Sequence, residues 1–408
     1  MPWDECLLEQ QRLAVTAAVG AARTAAYRKL WEGSGVVTAD ISIGNWQDLP
    51  LLSKDALIES AQTNPPFGDR LAVSGQEIAH IFVAPGPLYM PFTKADMEHV
   101  AGSFLKAMQS CGLNSQDLVD QTTMYNWVIA ATAIDRSLQM IGCAVVPGGI
   151  GQSEMHLDVI RNLNVNAIVA FPTFLEHLLE LAAQDGQPLP LQKAVVMGEL
   201  SHPDTKKKIH EEYGLEVREF YGVADVGAVA WECQAGDGMH LRDDLLVEFL
   251  TPEGVQVAAP SPDQPAELVV TDFHRQAMPI IRLRTGDMIN ELITDTCSCG
   301  NTSPRFRRIV GRAGEITKVK GMFVVPRQVK DVFQRLGIER RFRLVVSREN
   351  GGRDTLMLEI SGEPVQDIQG LLAKVEAALR LRVSHRFVDE LPEFGPLLVD
   401  HRLTEEPK

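Results

Sequence analysis

The feature that most constrains the fold is an alternation between residues 143 and 221. Short apolar runs at 143–146, 167–171, 194–197 and 215–221 are separated by stretches at 153–163, 174–183 and 204–213 that read as helices. Strand, helix, strand at this rhythm predicts a parallel sheet with covering helices. Ligands of such sheets bind just beyond the carboxyl ends of the strands, so the turns to watch are 147–152, 172–173, 198–201 and 222–227.

Either side of this block the texture differs. Residues 7–31 read mostly as helix and 62–75 as a loop. Thr93 is placed to cap a helix reaching Cys111, with Val100, Phe104, Leu105 and Met108 at helical spacing. From about Met239, β-rich runs at 246–250, 266–271 and 280–283 predict a small barrel or antiparallel sheet. Residues 312–408 read as a small α+β unit, with helices at 329–336 and 365–379 and strands at 343–346, 355–360 and 386–388. The expected class is α/β. A large N-terminal domain, 1–311, has parallel βα sheets and a β-rich part at about 233–311, and a small C-terminal α+β domain spans 312–408.

Bulk properties narrow the functional classes. At 408 residues the chain is too long for one ordinary domain. Its net charge of −15 argues against a nucleic-acid partner. No apolar run approaches the roughly 20 residues that cross a bilayer. The start, MPWDECLLEQQ, is polar and acidic, unlike a signal peptide. The expected location is therefore the cytoplasm, with no membrane partner. A homodimer is the default assembly to expect.

Six irregularly spaced cysteines do not make a disulfide framework. Cys233, His240, Cys297 and Cys299 together offer a closed Cys3His tetrahedron suited to structural zinc. The Cys-x-Cys gap is tighter than usual, and unrelated buried thiols beside a surface histidine fit the spacing equally well. Arg282, Arg284, Arg305, Arg307, Arg308 and Arg312 form a local basic cluster, read as an anion site or, for any one of them, more simply as a solvated strand face or a surface ion pair. Asp287, at a strand end, suits ribose hydroxyls. In YGVADVG (221–227), Tyr221 can stack on a base and Asp225 can hold Mg²⁺; an ordinary turn with a core tyrosine explains the same residues. The PGGIGQ turn (147–152) resembles a phosphate cradle but lacks the dinucleotide fingerprint, which leaves a nicotinamide-dependent oxidoreductase unsupported.

Taken in order, VVMGEL (195–200), EFYGVADVGAVAWEC (219–233), GMHLRDD (238–244), IIRLRTGDM (280–288) and the run from Cys297 to Phe333 resemble the phenylacetate–CoA ligase family of adenylate-forming enzymes. The resemblance implies ATP-dependent activation of an aryl or related carboxylic acid to an acyl-adenylate, then transfer to a thiol such as CoA. It implies that Gly198 and Glu199 border the adenine, that Tyr221 stacks on it beside Gly222, and that Asp287 binds the ribose. Arg312 would lie near ribose and phosphate, Asp225 at the Mg²⁺ position and Gly314 at the hinge of a mobile C-terminal domain. By fold analogy the acid pocket would involve Tyr125, Trp127 and Phe171. Zinc on Cys233, His240, Cys297 and Cys299 is implied as well.

Two departures stand out. The family's Ser/Thr/Gly-rich phosphate loop ending in lysine is replaced by FVAPGPLYMP (82–91), which has no Ser, Thr or Lys and three prolines without an N–H. The catalytic lysine of the family has no counterpart in LPEFGPLL (391–398). Loss of one such electrostatic contact costs about 10²–10³ in rate. The expected alternative is a degenerate member that binds a ligand or partner protein, or handles an acyl-adenylate made elsewhere.

Overall fold

Thr93 starts the helix around which the larger unit is built. Its hydroxyl accepts from the Asp96 amide at 3.0 Å, while Asp96 Oδ2 accepts from the Thr93 amide at 2.8 Å. This reciprocal cap satisfies two N–H groups that the first turn leaves without partners. The computed structural model describes residues 12–13, 15–32, 34–36, 41, 43–84, 88–199, 203–251, 254–261, 264, 266–289, 291–312, 317–320, 322–324, 326–348, 353–391 and 396–403. The chain divides into two units, 1–309 and 310–408.

After helical residues at 12–13 and 15–21, the larger unit contains α1 (Ala25–Glu32) and α2 (Lys54–Thr63), a hairpin of β1 (Ile78–Ala84) and β2 (Leu88–Thr93), and α3 (Lys94–Ser110). An alternating region follows: β3 (Leu118–Gln121), α4 (Ile129–Ile141), β4 (Ala144–Val146), α5 (Ser153–Leu163), β5 (Ala167–Ala170), α6 (Pro172–Gln184), β6 (Lys193–Met197), α7 (Pro203–Tyr213) and β7 (Glu216–Val223). Then come β8 (Gly227–Glu232), β9 (Met239–Leu241), β10 (Leu245–Leu250), β11 (Gln256–Val257), β12 (Ala266–Asp272), β13 (Ile280–Ile289), β14 (Leu292–Ile293) and β15 (Arg305–Phe306).

The main sheet has the order β14-β15-β9-β8-β7-β6-β5-β3-β4. Strands β4, β3, β5, β6 and β7 are parallel, and β8, β9, β15 and β14 continue antiparallel. The parallel strands are apolar throughout because both faces are covered. Ala167 and Val169 of β5 pack in one cluster with Val100, Phe104 and Met108 of α3. Ile168 and Ala170 pack on the other side with Leu157, Ile160, Leu175 and Leu178 of α5 and α6. A second, antiparallel sheet runs β11-β10-β12-β13, which is the β-rich region expected from the sequence.

Strand β16 (Ile309–Arg312) spans the boundary between the units. The smaller unit contains β17 (Thr317–Val319), β18 (Met322–Val324), α8 (Pro326–Arg335), β19 (Phe342–Arg348), β20 (Asp354–Ser361), α9 (Ile368–Leu379), β21 (Ser384–Val388) and β22 (Leu398–Asp400). Its sheet, β21-β20-β19-β22, packs Leu344 and Leu358 against Val329 and Phe333 of α8 and Leu371 and Val375 of α9. The fold class is α/β with an additional α+β unit, as the sequence predicts. No helix among the described residues is long and apolar enough to cross a membrane.

Candidate active site and metal cluster

Because β3 to β7 are parallel, their carboxyl ends share one edge, and the turns leaving them gather there. Order along the sheet reverses at β3: β4 lies on one side of it, and β5, β6 and β7 follow on the other. The loops after β3 and β5 therefore flank the crevice where such sheets bind ligands. Tyr125 and Trp127 belong to the first loop and Phe171 to the second. Tyr125 Oη is shielded from solvent. Burial, reinforced by Asp135, pushes its hydroxyl up to about 12. Trp127 is 70% exposed with φ of 68°, and its carbonyl accepts from Val83 of β1 at 2.7 Å.

The residues expected around a nucleotide come together in part. Tyr221, at the end of β7, donates its hydroxyl to Asp287 Oδ2 on β13 at 2.7 Å. Its ring meets Phe306 edge-on, with centroids 6.3 Å apart. Gly222 sits at a bulge between β7 and β8, where a side chain would lie 3.1 Å from the Gly227 carbonyl oxygen. Gly198 leaves β6 with φ of 81°. Glu199 Oε2 accepts from the Thr173 hydroxyl at 2.7 Å, tying the turn after β6 to the start of α6. Arg312 falls in β16, and its side chain lies outside the described residues, as do Ser201, Gly314 and residues 392–395.

Asp225 is placed differently from a free metal ligand. It is buried in the turn between β7 and β8, and its Oδ2 accepts from the ammonium of Lys54 at the start of α2. Burial opposes ionisation, but Lys54, Arg70 and Arg275 outweigh it and hold the carboxyl below its ordinary value. Sequence reading missed all three cations. They lie between 50 and 171 positions from Asp225, and no local pattern joins them.

The 82–91 segment forms most of the β1–β2 hairpin, with 85–87 outside the described residues. Phe82, Ala84, Leu88, Met90 and Phe92 are buried in the core. The apolar residues of this segment therefore build a packed hairpin. The PGGIGQ turn is also explained by packing. His156 of α5 is buried between Asp120 Oδ2, 2.6 Å from Nδ1, and the Gly149 carbonyl, 3.1 Å from Nε2. A side chain at Gly148 would overlap the His156 ring and sit 2.8 Å from Asp120 Oδ1.

Four arginines of the basic cluster are engaged in ion pairs. Arg282 makes a buried two-pronged contact with Glu248, Arg284 pairs with Glu267, and Arg305 and Arg307 both reach Asp237. Arg307 makes the exposed kind of pair expected of a surface, whereas Arg282 and Arg305 are buried.

Cys233, His240, Cys297 and Cys299 converge, with one ligand atom from each lying within 4.8 Å of all the others. Cys233 Sγ is 3.7 Å from Cys297 Sγ, and Cys299 Sγ is 3.6 Å from His240 Nε2. His240 Nδ1 donates to the Ser303 carbonyl at 3.2 Å, which leaves Nε2 as the free donor atom. The cluster can hold a metal ion.

The fold is one shared with solved CoA ligases. A solved 2-hydroxyisobutyryl-CoA ligase in complex with 2-HIB-AMP and CoA aligns with a TM-score of 0.84 at 22% identity, over 96% of this chain and 90% of that one. The amide bond synthetase McbA from Marinactinospora thermotolerans aligns with a TM-score of 0.59 at 16% identity, over 78% and 67%. In sequence, a phenylacetate-coenzyme A ligase of Thermus thermophilus is 26% identical over 94% of this chain and 89% of its own length. That of Escherichia coli K12 is 25% identical over 86% and 81%. No family model matches. Over most of its length the chain is thus similar to phenylacetate-coenzyme A ligases, and it shares the fold of solved CoA ligases.

Proposed function

We propose that the protein is an acid–thiol ligase that activates an aryl or related carboxylic acid with ATP to an acyl-adenylate and passes the acyl group to a thiol such as CoA. The observation that carries this reading is the Tyr221–Asp287 hydrogen bond. It joins an aromatic ring fit for adenine and a carboxylate fit for ribose hydroxyls at the carboxyl edge of the sheet. Gly198 and Glu199 border the same edge. Tyr125, Trp127 and Phe171, on loops flanking the crevice, would meet the acid.

A second reading is favoured by the pairing of Asp225 with Lys54 and by the apolar hairpin. The Mg²⁺ position is partly engaged by an ammonium, and phosphate-binding hydroxyls are missing. Such a chain would bind a ligand or partner, or use an acyl-adenylate made elsewhere. ATP–pyrophosphate exchange with Mg²⁺, run over a panel of aromatic and short aliphatic acids, separates the two. Acid-dependent exchange supports the full ligase. Absence of exchange, together with CoA thioester formation from a supplied acyl-adenylate, supports the second reading.

We also assign the Cys3His cluster to structural zinc. A tetrahedron with Zn–S bonds of about 2.3 Å and a Zn–N bond of about 2.0 Å has S–S edges of roughly 3.8 Å and S–N edges of roughly 3.5 Å. The observed separations of 3.7 Å and 3.6 Å support this assignment. Four protein ligands leave no position for water or substrate, so the metal would hold the β-rich part together and stay out of the chemistry.

A further inference from the structure

Arg70 and Arg275 lie 205 positions apart in the chain, yet both are buried, each about 5% exposed, and both act on Asp225. Their donors are not used up. Arg70 Nε and Nη2, and Arg275 Nε and Nη1, have no hydrogen-bond partner among the described residues. Arg275 Nη1 is 3.4 Å from Asp96 Oδ1, close enough for charge attraction but without hydrogen-bond geometry. Asp96 is committed elsewhere, accepting from the amides of Thr93, Gln276 and Ala277. Asp225 in turn accepts from Lys54. The carboxylates these cations face, Asp96, Asp225 and Asp272, are thus already engaged by other donors.

Leaving a buried N–H unpaired costs about 1–3 kcal/mol, and more when the group is charged. Folded proteins seldom keep such donors unless a ligand or water meets them. Planar guanidinium forks with an ammonium beside them match the oxygens of a phosphoryl group. The location agrees, because Asp225 is four residues from Tyr221 on the turn that leaves β7. The hairpin contributes as well: the Arg275 guanidinium lies over the Phe92 ring of β2, 3.8 Å from its centroid. The same hairpin that lacks phosphate-binding hydroxyls braces one of the three cations.

We propose that Arg70, Arg275 and Lys54 form a buried oxyanion site beside Asp225 that takes pyrophosphate, the phosphoryl end of the nucleotide, with side-chain donors in place of a phosphate-binding backbone loop. The choice of pyrophosphate rests on the ligase reading. The existence of the oxyanion site does not.

The test is calorimetric titration of the full-length protein with inorganic pyrophosphate in magnesium-free buffer, with no acid or ATP present. Inorganic phosphate and sulfate at matched ionic strength are the comparisons. The expected result is saturable binding of one pyrophosphate, tighter than either comparison anion. Arg70→Met and Arg275→Met should each weaken it at least tenfold, and far-UV circular dichroism checks that they fold. Asp225→Asn should tighten it severalfold, because the carboxylate competes with the ligand for the same cations. A merely structural cluster would not give that gain. The site is overturned if the wild type binds no pyrophosphate, if folded Met variants bind it unchanged, or if Asp225→Asn weakens it. Equal affinity for sulfate overturns the pyrophosphate assignment. Pyrophosphate binding without any ATP–pyrophosphate exchange would sink the ligase reading and leave the oxyanion site standing.

Discussion

The Tyr221 hydroxyl donates to Asp287 Oδ2 at 2.7 Å, linking the end of a strand in the main sheet to a strand of the β-rich sheet. A hydrogen bond to a charged acceptor contributes about 1.5–3 kcal/mol. Tyr221→Phe is expected to lower unfolding free energy by about 1–2 kcal/mol, since both residues make other interactions. It should also weaken AMP binding about tenfold. A double-mutant cycle with Asp287→Asn, read by denaturant unfolding and by AMP titration, checks both. Additive effects would count against the pair acting as one unit.

Asp225 compensates three cations. Removing one partner of a buried charge network costs about 3–5 kcal/mol. Asp225→Ala is therefore expected to destabilise the larger unit by that order, measured by urea unfolding at neutral pH. The folded carboxyl lies below its ordinary value, mainly through Lys54 working against burial. Its contribution is thus present above the unfolded pKa, about 3.9, and is lost as pH falls through the lower folded value. Below about pH 4 the wild type should lose stability more steeply than Asp225→Asn.

His156 has the opposite sign. Burial favours the neutral ring, but Asp120 and the Gly149 carbonyl outweigh it and raise the pKa above the ordinary value. Both ring nitrogens face acceptors, so the imidazolium satisfies both. The stabilisation is fully present below the unfolded pKa, about 6.5, and is lost as pH rises through the higher folded value. Unfolding measured from pH 6 to 9 should show wild-type stability declining on the alkaline side, with the slope removed in His156→Gln. Gly148→Ala should cost about 1–3 kcal/mol through overpacking against the same ring.

About one zinc per chain is expected by metal analysis, and Cys297→Ser combined with Cys299→Ser should abolish it. Full retention of zinc in the double variant would refute the assignment of these ligands.

Where the fold was legible, apolar runs were bounded by turn residues. Helix α5 has the expected bounds, and β5 to β7 and α6 lie within three residues of theirs. Strand β3 and helix α4 escaped for a physical reason. β3 carries Asp120 and Gln121 into the core, both fully buried. Asp120 is met by His156, and Gln121 by the Thr123 amide and the Ala131 carbonyl. Two charged or polar residues in a four-residue strand erase the apolar signal, and the partners that permit their burial are up to 36 positions away. The Cys3His cluster was visible because its residue types are chemically distinctive. The Lys54–Arg70–Arg275 group was not, because surface arginines and lysines look the same in a sequence as buried ones.

The metal cluster also bears on the order in which the chain can be made. Cys233 and Cys297 are 64 residues apart, and His240 and Cys299 are 59 apart. Between them lies every strand of the antiparallel sheet from β10 to β13. A nascent chain presents two ligands, then must synthesise that whole sheet before the other two leave the ribosome. Domains generally fold as units during synthesis, and a partial ligand set binds metal weakly. Capture of the ion would therefore mark completion of the β-rich part, and metal starvation would strand nascent chains with the outer strands β15 and β9 unclamped.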